Sequence, residues 1–167
     1  FDSMYPSIRK HLHKNFGIFS MARRRDNLLL WAHYAKSHTG FCVGIKKSSL
    51  NAIAFVQLFA VDYSNKFPSR PMFLKEKEQT KYLLKIVTTK SKHWKYEREY
   101  RLVNMINPNT AFKLPDDFIS EITLGLSMTD QAKEEIKTIR NAKFPKAKLY
   151  ETLIDTRQFV LKFKEIK

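Results

Sequence analysis

The run Trp94-Lys95-Tyr96-Glu97-Arg98-Glu99-Tyr100-Arg101 leads straight into the apolar Leu102-Val103-Asn104-Met105-Ile106. The apolar part reads as a buried strand, so the charged lead-in has to enter a core. Extended backbone sends alternate side chains to opposite faces. It would put Glu97, Glu99 and Arg101 on one face and Tyr96, Arg98 and Tyr100 on the other. Two neighbouring carboxylates on one face repel unless a positive group sits close by. From this segment alone the simpler reading is a charge-compensated strand end, with Arg101 and a lysine neutralising the pair. Paired carboxylates of this kind also occur where chemistry happens.

A chain of 167 residues with 43% hydrophobic residues, 13 Phe and 7 Tyr can bury a substantial core. The expectation is a single domain over residues 1–167. With only 4 Gly and 6 Pro and no internal repeat, loop-dominated and solenoid architectures are disfavoured. No apolar run approaches the ~20 residues of a membrane span, and no signal-peptide pattern is visible. Cys42, the single cysteine, excludes an internal disulfide and reads as a buried thiol between Phe41 and Val43. A cytoplasmic protein is therefore expected.

The second strong signal is charge. There are 31 Lys and Arg against 16 Asp and Glu, a formal net charge of +15. Such a field attracts nucleic acid, nucleotides or anionic lipid. Lysines are dispersed along the chain, and Arg23-Arg24-Arg25 is the one dense arginine cluster. That cluster reads equally well as a phosphate clamp or as an exposed basic turn.

Periodicity gives a mixed pattern. Strands are expected at Phe16–Ser20, Phe41–Ile45, Val56–Tyr63, Glu97–Ile106 and Ile119–Leu126, and at Lys148–Ile154 and Arg157–Phe163 with a hairpin at Asp155-Thr156. Ala111–Leu114 would pair back after an Asn107-Pro108-Asn109 turn, and Pro68 and Pro71 mark a loop. One helix runs from an Asp26 N-cap through Leu28–Ala35 to a stop at Gly40. A second spans Phe73–Val87, with Leu74, Tyr82, Leu83 and Ile86 facing the core. A third runs from Thr129 or Asp130 to Ala142, and Ser48 or Ser49 would cap a short helix through Ala54. The fold class expected is α+β, a mostly antiparallel sheet with about three packed helices.

Few other groups could carry chemistry. His33 and His38 are five apart and do not share a helical face, His11 and His13 would share a face only in an extended segment, and Cys42 is not a companion at a recognised zinc spacing, so no metal is assigned. There is no dinucleotide fingerprint, P-loop or nucleophile elbow. His33 reads as a core histidine, although Trp31 and Tyr34 beside it also suit the wall of a pocket for a flat ring.

Two signatures then resemble a known family. Arg25-Asp26-Asn27-Leu28-Leu29-Leu30-Trp31-Ala32-His33-Tyr34-Ala35 with His38-Thr39-Gly40-Phe41-Cys42-Val43-Gly44-Ile45 is similar to the central signature of the bacterial domain-of-unknown-function family twenty-nine seventy-one. Trp94 to Leu102 resembles its second signature, and Ile122-Thr123-Leu124-Gly125 the strand that follows. The family opens with a tyrosine- and arginine-containing strand and an Asn-Asp-Pro-Phe-Asp segment. Phe1-Asp2-Ser3 looks like a start within that segment. The chain is therefore expected to be the larger, C-terminal part of a longer protein.

The Glu-x-Glu pair is also similar to that of ADP-ribosyltransferases, which place it at the edge of a strand in a compact α+β fold. That resemblance implies an ADP-ribosyltransferase-like domain of a toxin or defence protein, with NAD as co-substrate. Glu99 would stabilise the oxocarbenium-like state formed as nicotinamide leaves, and Glu97 would act on the acceptor. His33, Tyr34 and Tyr96 would contact nicotinamide or ribose, Arg25 a phosphate, and Ser20 is a candidate support for the catalytic carboxylate. The alternative is a non-catalytic nucleic-acid-binding module, in which Glu97 and Glu99 are structural and exposed aromatics stack on bases.

Overall fold

A computed structural model describes residues 10, 12, 14–50, 53, 55–69, 75–106, 108, 111 and 113–166. The strands are β1 (Gly17–Ala22), β2 (Phe41–Ile45), β3 (Val56–Ala60), β4 (Asp62–Ser64), β5 (Thr89–Ser91), β6 (Glu99–Asn104), β7 (Ile119–Leu124), β8 (Lys148–Ile154) and β9 (Leu161–Ile166). Among the described residues, helices with defined bounds are α1 (Leu28–Tyr34), α2 (Lys47–Leu50), α3 (Glu76–Val87) and α4 (Asp130–Lys143), with a 3-10 helix at Lys92–Glu97, and residues 10, 12, 14 and 15 are also helical. The fold is α+β, with mostly antiparallel pairing and, among the described residues, three substantial helices and three sheets rather than one. The chain divides into two compact units, residues 1–23 with 54–111 and residues 24–53 with 112–167.

In the first unit the sheet order is β1-β6-β3, all antiparallel, with Ser20 and Phe59 both opposite Arg101. β4 and β5 pair in parallel. The amphipathic helix α3 supplies the core. Leu83, Ile86 and Val87 recur at helical spacing and pack with Phe16 and Val103. Thr88 ends the helix, its hydroxyl donating to the Leu84 carbonyl at 2.9 Å. Of the expected core residues on this helix, Leu83 and Ile86 are buried and Tyr82 packs beside them. Leu74 lies outside the described residues, as do Pro71, Asn107 and Asn109.

The expected strand from Val56 to Tyr63 is interrupted at Val61, so β3 and β4 join different sheets. The expected strand from Glu97 is also corrected. Glu97 ends the 3-10 helix, and Arg98 takes a left-handed conformation (φ 47°, ψ 51°) before β6 begins at Glu99. Glu97 and Glu99 are therefore not related by strand alternation. Neither Ala111 nor Lys113-Leu114 lies in a strand.

In the second unit the sheet order is β2-β7-β8-β9. β7 and β8 are parallel and joined through α4, and the other two pairings are antiparallel. Ala132 and Ile136, one helical turn apart on α4, pack on Ile122, Leu124, Met128 and Leu149. Thr129 is the N-cap, accepting from the Ala132 N–H. The β8–β9 hairpin forms, but its connection is longer than Asp155-Thr156. The Asp155 carboxylate organises it by accepting from the Arg157 and Gln158 N–H groups.

Helix α1 is capped by Asn27, whose side chain accepts from the Leu29 N–H at 3.0 Å. Asp26, the expected cap, pairs with Arg24 instead. α1 is less buried than its apolar sequence implies, with Leu29 49% and Tyr34 66% exposed. Trp31 and Ala35 anchor it in a cluster with Leu161, Leu28, Cys42 and Phe163.

The chain leaves α1 through Lys36, Ser37 and His38, all at positive φ (50°, 52° and 66°). A hydrogen bond from the Gly40 N–H to the Ala35 carbonyl closes the turn at 2.8 Å. Gly125 then packs so tightly on this turn that a Cβ would lie 2.1 Å from the His38 carbonyl oxygen and 2.4 Å from that of Gly40.

Candidate functional site

The first unit concentrates buried charge at the junction of the 3-10 helix and β6. Glu97 and Glu99 are only 5% and 6% exposed. An isolated charge there would be expensive, so partners are required. Lys90 on β5 provides the shared one. Its ammonium bonds to Glu97 Oε2 and lies 3.0 Å from Glu99 Oε2.

Arg101 grips Glu99 with both arms of its guanidinium, at 2.7 and 3.2 Å, and donates to the Val87 carbonyl. The Ser20 hydroxyl also hydrogen-bonds Glu99. The Tyr63 hydroxyl accepts from the Glu99 backbone N–H at 2.8 Å. The geometry thus follows from the fold: the left-handed Arg98 turns the chain by one residue, and β1, β4 and β5 bring the partners.

The protonation states follow. Burial would raise the Glu99 pKa, but hydrogen bonds from Arg101, Ser20 and Lys90 and the Arg101 charge outweigh it and hold the group down from 4.5 to about 2. Burial would lower the Lys90 pKa, and its bonds to Glu97 and Glu99 outweigh that and raise it. Burial raises the Tyr63 phenol, opposed by the Glu99 backbone hydrogen bond and reinforced by the two carboxylate charges. By geometry the cluster pairs two carboxylates with two cations.

The outer side of the same segment has a different character. Lys92, Lys95 and Arg98 are exposed. Trp94 is 38% exposed, with the Lys90 ammonium 5.0 Å from its ring centroid and the Tyr96 ring at 5.9 Å.

The remaining sequence-predicted site residues, Arg25, His33 and Tyr34, belong to the second unit. The Arg25 guanidinium is engaged there. It pairs with Glu121 at 3.0 Å, donates to Thr123 Oγ1 at 3.1 Å, and lies 4.0 Å from the Tyr150 ring centroid and 4.4 Å from that of Phe163. Its backbone carbonyl accepts from the Trp31 indole. Arg25 is thus tied into its own unit's packing. His33 and Tyr34 sit edge to face at 6.3 Å on the exposed side of α1. Burial, then the nearby Glu121 charge, raises the Cys42 thiol pKa, as suits a structural cysteine.

Lys90 and Tyr63 are the site residues that sequence reasoning did not name. Both lie on short strands of the parallel β4–β5 pair, and nothing in the local pattern links Lys90 to Glu97 and Glu99. Among the described residues, no cluster of His, Cys, Asp and Glu could hold a metal ion, and no helix is long and apolar enough to cross a membrane.

No curated protein and no solved structure matches the chain. Residues 30–102 match the family described as Protein of unknown function (DUF2971), the family that the Trp31–Ala35 and Trp94–Leu102 signatures resemble, and over that segment the chain is similar to it.

Proposed function

We propose that this chain is a basic nucleic-acid-binding domain in which Glu97 and Glu99 hold their unit together. The observation that carries the reading is the burial and neutralisation of both carboxylates by Lys90 and Arg101. A carboxylate stabilises a developing cation best when its charge is not already balanced. Because the four groups sum to zero, the whole formal excess of +15 lies elsewhere in the chain. Lysine-rich surfaces of this kind bind phosphate backbones through counterion release. Anisotropy of a labelled oligonucleotide of unrelated sequence tests it. Binding at low salt that weakens as salt rises is expected, and absence of binding at low salt would refute it.

One observation favours a second reading, NAD-dependent ADP-ribosyl transfer. Glu99 is held ionised at the start of a strand and accepts a hydrogen bond from Ser20 on the neighbouring strand. A fixed carboxylate with a supporting hydroxyl is the group such chemistry needs beside an oxocarbenium-like ribose. In that reading NAD is the co-substrate, Glu97 serves the acceptor, and Tyr96, on the same segment, contacts nicotinamide or ribose. Nicotinamide release from NAD, lost in Glu99→Gln with the fold retained, would establish it. No consumption and no binding of NAD would remove it.

A further inference from the structure

We propose that the segment from Lys90 to Arg98 is a preorganised strip for single-stranded nucleic acid, with phosphates on Lys92, Lys95 and Arg98 and an unpaired base against Trp94. The inference rests on the nucleic-acid reading above and gives it a site and a substrate class. Residues three apart lie in one row on a 3-10 helix, which rises about 2 Å per residue. Lys92 and Lys95 occupy such a row, and Arg98, the left-handed C-cap residue, follows directly after the helix as a third cation outside the row. All three are exposed, and the 3-10 rise sets Lys92 and Lys95 about 6 Å apart along one edge of the segment. Glu97, the one acidic residue in the helix, is buried and paired with Lys90. It therefore does little to weaken the row.

Trp94 stands beside this row, 38% exposed. Its ring is held on one side by the Lys90 ammonium and flanked by Tyr96, tilted by 38°. Lys90 is itself fixed by Glu97 and Glu99. The buried carboxylate pair thus orients the ring through Lys90, so little ordering is left for the binding step. A flat ring flanked by cations suits a single strand, whose unpaired bases offer a face for stacking. A duplex keeps its bases stacked on each other and offers this site mainly phosphates.

Anisotropy titrations of the full chain with a labelled pyrimidine oligonucleotide, single-stranded and as its duplex, in DNA and RNA forms, test the proposal. Trp94→Ala is expected to weaken single-strand binding by about 10-fold and leave duplex binding nearly unchanged. Lys92→Ala with Lys95→Ala and Arg98→Ala should weaken both. Single strands should quench a part of the tryptophan emission that Trp94→Phe lacks, a readout that does not depend on stability. If Trp94→Ala binds the single strand as tightly as the parent while both bind nucleic acid, the strip is wrong and the general binding reading survives. If neither form is bound at low salt, both fall.

Discussion

Replacing Lys90 by Met removes the cation shared by Glu97 and Glu99 while keeping most of the side chain's apolar length. At 3.0 Å, the Lys90–Glu99 separation, a unit-charge pair at an effective dielectric near 20 attracts by about 5 kcal/mol before desolvation is subtracted. Removing one partner of a buried pair typically destabilises by about 3–5 kcal/mol, because the remaining charge stays buried. Arg101 still grips Glu99 in the variant, so the larger loss falls on Glu97. Urea unfolding at neutral pH should show a deficit of about 3 kcal/mol. The deficit should narrow as pH falls towards about 2, since protonating Glu99 removes a charge that Lys90 balanced. In a Glu97→Gln background the same substitution should be milder, with a coupling of about 1–3 kcal/mol. A deficit below about 1 kcal/mol, or one that does not change with pH, would refute the shared-cation account.

Three further outcomes are expected. Glu99 contributes stability that is fully present above its unfolded value of 4.5 and lost as pH falls towards about 2; at roughly 1.4 kcal/mol per pH unit this is at most about 3 kcal/mol. Unfolding midpoints from about pH 6 down to about pH 3 should therefore fall in the parent more than in Glu99→Gln. Trp31→Ala should lower stability by about 3–5 kcal/mol in a thermal melt, because the indole is 3% exposed at the centre of its cluster. Gly125→Ala should lower it by about 1–3 kcal/mol or more, since its Cβ would meet backbone oxygens that cannot rotate away.

Helix α4 and strands β2, β7 and β8 were legible because hydrophobic periodicity and the Thr129 cap act over neighbouring residues. The path of the chain around Glu97 was not, because a single left-handed residue, Arg98, decides it. Arg carries no propensity for that conformation. The pair of carboxylates was legible as a pair in need of cations, and Arg101 was its visible local partner. Lys90 was not, since only the β4–β5 pairing places it there. A phosphate-binding role for Arg25 was plausible in sequence. In the structure its guanidinium lies between Tyr150 and Phe163 and pairs with Glu121, contacts made across nearly a hundred residues and more. Trp31 clusters with Leu161 and Phe163 of β9, partners far along the chain that no local pattern around its helix names.

The most direct test of the central claim is the salt dependence of single-strand binding. Counterion release makes the logarithm of affinity fall linearly with the logarithm of salt, with a slope of about −0.7 per phosphate neutralised. Engagement of Lys92, Lys95, Arg98 and at least one further exposed cation predicts a slope of about −3 or steeper. A slope near zero, or no binding at the lowest salt, would contradict the account and leave the +15 excess without a nucleic-acid role.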